Sequence, residues 1–337
     1  MVSLRQTCPI SDSRRLSRAL MEINTLPPQR PEAAAMSHLA GIIMSCLSAA
    51  CSRYAAWVRA MFLLAALLAR GEVGAQLPAY STEAFLEDAR AVKWETGFLF
   101  GGAALVGARN WKWGSSHSFK TASEGWFGLD TESGGADKLG HAYSAYLITN
   151  GLAEQLQHQG RQPERAALTS VLITQALMIG IEVLDGYSID HGWSTQDAVM
   201  NVLGSGAAYW RHVTPGMRDK LDFRLEYTPT THKGGNPISD YAGHKYVLAF
   251  KLSGFTATRD TPLRYLELQT GYYTRGFSRE EQLEGLSPSR HGFIGIGLNL
   301  SQLLFGQRAD NERGALRAGR FFLEHVQVPS TAIRSEW

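Results

Sequence analysis

Ala176-Leu-Met-Ile-Gly-Ile-Glu182-Val-Leu-Asp185-Gly186-Tyr187 sets two carboxylates into the end of an apolar helix. Residues three or four apart on a helix share a face, so Glu182 points the same way as Asp185. A carboxylate among aliphatic side chains costs several kcal/mol unless it meets partners or takes up a proton. Two other segments carry polar residues at the same spacing. Asp137-x-x-x-His141 opens one helix, and the Ser194-x-x-Asp197 turn, with Asn201 four residues on, opens another. Bringing these pairs together is the cheapest way to satisfy all of them. The pattern therefore predicts one polar cluster of Asp137, His141, Glu182, Asp185, Asp197 and Asn201.

Outward from that cluster the chain reads as α+β: a small helical bundle of about four helices followed by a small antiparallel β-sheet. Ser81 or Thr82 caps a first helix through Trp94, which continues into the glycine-rich Gly97–Ala108. The Asn110–Gly135 loop holds Trp111, Trp113, Trp126 and Phe127, an aromatic density that suggests an interface with the strand half or with lipid headgroups. Helices follow at Asp137–Gln159, Pro163–Asp185 and from Ser194 to about His212. Ala166–Leu184 is long enough to span a membrane, but Thr169, Ser170, Thr174, Gln175 and Glu182 interrupt it. With a mean hydropathy of −0.16 for the whole chain, a central helix of the bundle is the expectation.

Pro215 ends this half, and the period changes to that of strands. Tyr246–Leu252, Leu263–Tyr273 and Phe293–Leu300 read as strands, with Arg320–Val328 as a closing one. Four or five strands fall short of a transmembrane barrel. The domains expected are 1–75 (extension and signal peptide), 76–136 (N-terminal helix and tryptophan loop), 137–215 (helical core) and 216–337 (strand-rich region).

The leader reads as an export signal. Arg53 and Arg59 precede the apolar run Ala60–Ala69, and Val73-Gly74-Ala75 predicts cleavage before Gln76. Met36 or Met44 are alternative starts. Residues 1–75 hold eight arginines against four acids, which leaves −2 of the chain's +2 net charge for residues 76–337 and no case for nucleic-acid binding. Cys8, Cys46 and Cys51 all precede the cut, which excludes a disulfide scaffold, a zinc–thiolate site and a cysteine nucleophile from the mature chain. Ser48-Ala-Ala-Cys51 is a weaker alternative for lipid attachment.

Gly135-Ala-Asp137-Lys138-Leu-Gly-His141-Ala-Tyr-Ser-Ala-Tyr, then Glu182-x-x-Asp185-Gly186 and Trp193-Ser194-x-x-Asp197-x-x-x-Asn201-x-x-Gly204, resemble the YfiM-type family of predicted periplasmic lipoproteins. The resemblance covers about residues 130–212 and implies a location in the periplasm or cell envelope. It implies no reaction. A looser likeness to VanZ-like membrane proteins rests on the Asp-Lys-x-x-His start, the mid-helix Glu and the late Asp with Asn.

Each polar residue also has an ordinary structural reading. Asp137 can cap its helix, Ser194 and Asp197 can form a capping box, and Gly186 can end a helix in a left-handed conformation. His191 reads as an exposed loop residue. The sharper chemistry is metal binding: His141, Glu182, Asp185 and Asp137 are suitable ligands for a divalent ion with an open position for water. No serine elbow, phosphate loop or dinucleotide glycine pattern occurs. The expectation is an exported, non-catalytic module that needs no cofactor and meets a membrane surface or an envelope protein. The alternative is a metal-dependent envelope hydrolase acting on a lipid or glycan.

Overall fold

In the computed structural model, which describes residues 80–230, 237–308, 312 and 314–337, helices give way to strands just after Pro215. The signal peptide, its cleavage site, the alternative starts and all three cysteines lie outside the described residues. Those that are described fall within one unit, Arg70–Trp337.

Ser81 caps α1 (Thr82–Ala91) by accepting the Ala84 N–H, and α2 (Lys93–Asn110) follows after a one-residue break. The three long helices are α3 (Ala136–His158), α4 (Pro163–Asp185) and α5 (Thr195–Val213), each in contact with the other two. Asp88, fully buried on α1, receives Arg161 and Arg165 at 2.7 Å each and so fastens α1 to α4. Val92, Leu152, Leu156, Ala166 and Ile173 form the apolar core beneath it.

The polar interruptions of α4 face its neighbours. Thr174 takes a hydrogen bond from Thr149 of α3, while Gln175 donates to Ser205 and to the Asn201 carbonyl of α5. α4 is one helix long and apolar enough to cross a membrane by length and composition, and half of its apolar window is buried within the protein. Gly204 sets the spacing of α5 on α3: a Cβ there would lie 1.9 Å from the Ala142 carbonyl oxygen. Only glycine allows the two backbones so close, and that closeness lets His141 reach Asn201.

The strand half is larger than the sequence suggests. Two residues each from β1 (Thr121–Ala122) and β2 (Trp193–Ser194) pair in parallel among the helices. Beyond them β3 (Leu221–Tyr227), β4 (His244–Lys251), β5 (Leu266–Arg275), β6 (Ser289–Leu298) and β7 (Ala332–Glu336) form a five-stranded antiparallel sheet in that order. Val326 pairs with Leu225 on the free edge of β3, and the same segment continues into β7 beside β6. That one bridge covers part of the β3 edge.

Three short helices complete the fold: α6 (Arg279–Leu283), α7 (Leu300–Phe305) and α8 (Gly314–His325), for eight α-helices among the described residues. α8 corrects the closing strand expected over Arg320–Val328. Its buried residues Arg320, Leu323 and Glu324 recur at helical spacing, and the chain becomes extended only at Val326. The class is α+β, with more helices and a larger sheet than expected.

The sheet distributes its side chains in an unusual way. Its inner face buries charge: Arg224 pairs with Glu267 and Asp222, Arg211 of α5 with Asp222 and Glu324, and Lys251 with Asp222. Near α3 its outer face packs apolar rings, Phe223 and Tyr246 against Tyr143. Farther out, the same face leaves Leu248, Phe250, Leu268, Ile294, Ile296, Leu298 and Ile333 exposed. Four of these, Phe250, Leu268, Ile296 and Ile333, lie in register across adjacent strands.

Candidate functional site

The start of α3 sets the first side chains. Gly134 and Gly135 both take positive φ, and a Cβ on Gly135 would lie 2.2 Å from the Phe127 ring. Gly135, not Asp137, stands at the N-cap position, and Asp137 is the second residue of the helix. Its amide donates to the Ser133 hydroxyl, and that hydroxyl donates back to the Asp137 carboxylate. The adjacent Lys138 is 1 % exposed. Its ammonium lies 2.8 Å from Asp137 Oδ2 and 2.9 Å from Asp197 Oδ1, and it donates to Glu124.

One turn on, His141 Nδ1 lies 3.2 Å from Asn201 Oδ1 and 3.4 Å from Glu182 Oε1, while Nε2 is 3.9 Å from Asp197 Oδ1. Glu182 accepts the Ser194 N–H at 3.3 Å and the Asn201 side-chain amide at 3.4 Å. The expected capping box is therefore half made. Ser194 Oγ accepts the Asp197 N–H, but the reciprocal place is taken by Glu182, and this releases the Asp197 carboxylate to face Lys138 and His141. Asp185 Oδ1 accepts the Trp113 indole N–H at 2.7 Å. Gly186 is not left-handed; its φ is −56°, and its lack of a side chain serves the Phe119 ring, which a Cβ would meet at 2.2 Å.

These side chains border a cavity of about 300 Å³. Glu124, Glu132, Asp137, Glu182, Asp185, Asp197, Asp240 and Glu281 line it, as do His141 and His191. His191, read from the sequence as an exposed loop residue, is half-buried and belongs to the wall. Three of these acids, Glu124, Glu182 and Asp185, hold their protons more tightly than an ordinary carboxylate. Burial, followed by the charges of Asp197 and Asp185, pushes Glu182 well above the usual carboxylate range. Burial raises Asp185 as well. Burial and Asp197 push Glu124 up to about 7. Asp197 goes the other way: burial acts to raise it, but His141 and Lys138 together hold it below its ordinary value.

Ligand atoms of His141, Glu182 and Asp197 all lie within 4.8 Å of one another, and so do those of Glu124, Asp137 and Asp197. The six residues singled out from the sequence border one region, but their grouping differs from the ligand set His141, Glu182, Asp185 and Asp137. Asp197 joins both groups and Asp185 joins neither. Glu124 and Lys138 carry roles that spacing did not reveal. Lys138 stands next to Asp137 in the chain, off the three- and four-residue spacing, while Glu124 reaches the site from a loop that β1 holds against β2.

Residues 123–213 match the family model described as predicted periplasmic lipoprotein (DUF2279). This stretch contains α3, α4, α5 and most of the cavity's acids. The YfiM-type resemblance fits that family; the VanZ-like likeness finds no support. The family's description agrees with export to the periplasm or envelope. Neither the curated proteins nor the solved structures contain a match.

Proposed function

We propose that this chain is a membrane-associated binding module of the cell envelope whose cavity takes a divalent cation. The supporting observation is the convergence of His141, Glu182 and Asp197 within 4.8 Å at the wall of an eight-carboxylate cavity. Carboxylates brought this close repel one another, and a cation relieves that repulsion. One imidazole with carboxylates suits Mn²⁺ or Zn²⁺ better than Ca²⁺, which favours oxygen ligands alone. Chelator-treated protein titrated with Mn²⁺ should bind the ion, and His141→Ala should weaken binding at least tenfold. If His141→Ala binds as well as wild type and only melts lower, the cluster is a structural polar network.

The membrane part of this reading draws on the outer sheet face. Soluble proteins rarely expose a contiguous apolar patch of several large side chains, and here the charges of the same strands are turned inward. We place that face against lipid. Flotation with phosphatidylethanolamine–phosphatidylglycerol vesicles checks it: Leu268→Lys with Ile296→Lys should release the protein, and equal flotation of the double variant excludes this face.

The room beside His141 and Asp185 favours a second reading, an ion-dependent hydrolase acting on an envelope lipid or glycan. Under it, His141→Ala keeps its fold and loses both ion and turnover of a lipid or glycan substrate.

A further inference from the structure

We infer that Lys138 is a built-in cation, filling the second of two carboxylate cradles in the cavity and so limiting it to one exchangeable ion. The inference rests on the cation-binding reading above and specifies its stoichiometry.

The two cradles share Asp197. In the first, His141, Glu182 and Asp197 converge; in the second, Glu124, Asp137 and Asp197 do. The Lys138 ammonium stands within ion-pair distance of all three acids of the second cradle. Its side chain is buried and rooted in the first turn of α3, so the charge is held in place. A lysine ammonium is a compact point charge with three donors, and here it has three carboxylates to meet. Lys138 touches the first cradle only through the shared Asp197; among the described residues, Glu182 there meets the imidazole of His141, the Ser194 N–H and the Asn201 amide.

A second observation concerns Asp197 Oδ1. This oxygen is buried and receives no directed hydrogen bond, although Lys138 Nζ lies 2.9 Å away and His141 Nε2 3.9 Å away. Its nearest partner is thus the Lys138 ammonium, as an ion pair. A carboxylate oxygen left in this way between two cradles suits a bridging ligand, with the tethered ammonium on one side and a free ion on the other. Paired-ion sites hold their metals about 3.5–4 Å apart across such bridges. In this cavity one member of the pair is part of the chain.

Removing the ammonium while keeping the stem should open the second cradle. Mn²⁺ binding, measured by titration calorimetry and by elemental analysis after dialysis, should give one ion for wild type and two for Lys138→Met. The second ion should add Mn–Mn coupling to the electron paramagnetic resonance spectrum. One ion in both proteins, or two in wild type, overturns the inference while leaving the cation reading intact. No ion in wild type overturns the cation reading, and the inference with it. Should Lys138→Met fail to fold, Glu124→Gln and Asp137→Asn decide the matter. Their acids serve Lys138, so each variant should keep the single ion within about threefold of wild-type affinity; loss of that ion in either overturns the inference.

Discussion

On the inner face of the sheet every acid of the cluster has a cation: Asp222 pairs with Arg211, Arg224 and Lys251, Glu267 with Arg224, and Glu324 with Arg211 and Arg308. Around the cavity, eight acids share the wall with His141 and His191, and one ammonium, that of Lys138, pairs with three of them. Both regions bury carboxylates, yet their proton affinities diverge. In the sheet, burial acts to raise Asp222 and Glu324, but Lys251 with Arg224 beside the first, and Lys251 with Arg308 and Arg211 beside the second, hold both below the ordinary range. In the cavity, burial and neighbouring acids raise Glu124, Glu182 and Asp185. A balanced lattice satisfies itself and holds strands together. An unbalanced one stores repulsion that a proton or a cation relieves, and that imbalance distinguishes a site from a scaffold.

The sharpest way to break this comparison is to unbalance the lattice. Arg224→Met strands Glu267 and half of Asp222 in the interior, and such a loss of one partner costs about 3–5 kcal/mol. Chemical denaturation should show a fall of that size with the helical circular dichroism of the folded state retained. A loss below about 1 kcal/mol would mean that water reaches the inner face.

A smaller and opposite effect is expected from pH. Glu124 has a folded value of about 7 against an ordinary 4.5. The folded state holds this proton more tightly than the unfolded state, so stability declines as pH rises from 4.5 to about 7 and then levels off. Asp222 and Glu324 are depressed, so their contribution is present above the ordinary carboxylate range and is lost as acid titrates them below it. Ion-free protein should therefore lose melting temperature on both sides of a mildly acidic optimum. Glu124→Gln should flatten the loss on the alkaline side and leave the acid limb unchanged. An unchanged alkaline slope in Glu124→Gln would assign that limb to other groups.

The same contrast explains what could be read from the sequence. The long helices were legible because α4 carries a strong apolar run with its polar residues on faced positions, and because Ser194 marks the start of α5; the start of α3 was read two residues late, at Asp137 in place of the Gly135 cap. His141, Glu182, Asp197 and Asn201 were legible as a cluster because a lone acid in an apolar run demands partners. β3 was not. Leu-Asp-Phe-Arg-Leu-Glu-Tyr alternates, but its charged residues are the buried ones, so the pattern looks like a solvated loop until Arg211 and Glu324 arrive from α5 and α8. Arg320–Val328 reads as a strand because the adjacent apolar residues Phe321, Phe322 and Leu323 hide the helical spacing of Arg320, Leu323 and Glu324. Lys138 and Glu124 could not be paired from spacing, since their contact depends on a loop docked by two strand residues.

The smallest effect bears on how the cavity is assembled. Ser194 serves it twice: its hydroxyl caps α5 by accepting the Asp197 N–H, and its own backbone N–H holds Glu182. Ser194→Ala removes only the first contact. Loss of such a cap costs about 1 kcal/mol, and thermal denaturation should show it. Glu182 keeps its donor, because that donor is backbone, so ion affinity should stay within about twofold of wild type. A much larger drop in affinity would mean that the cap, rather than the backbone N–H to Glu182, holds Asp197 at the junction of the two cradles.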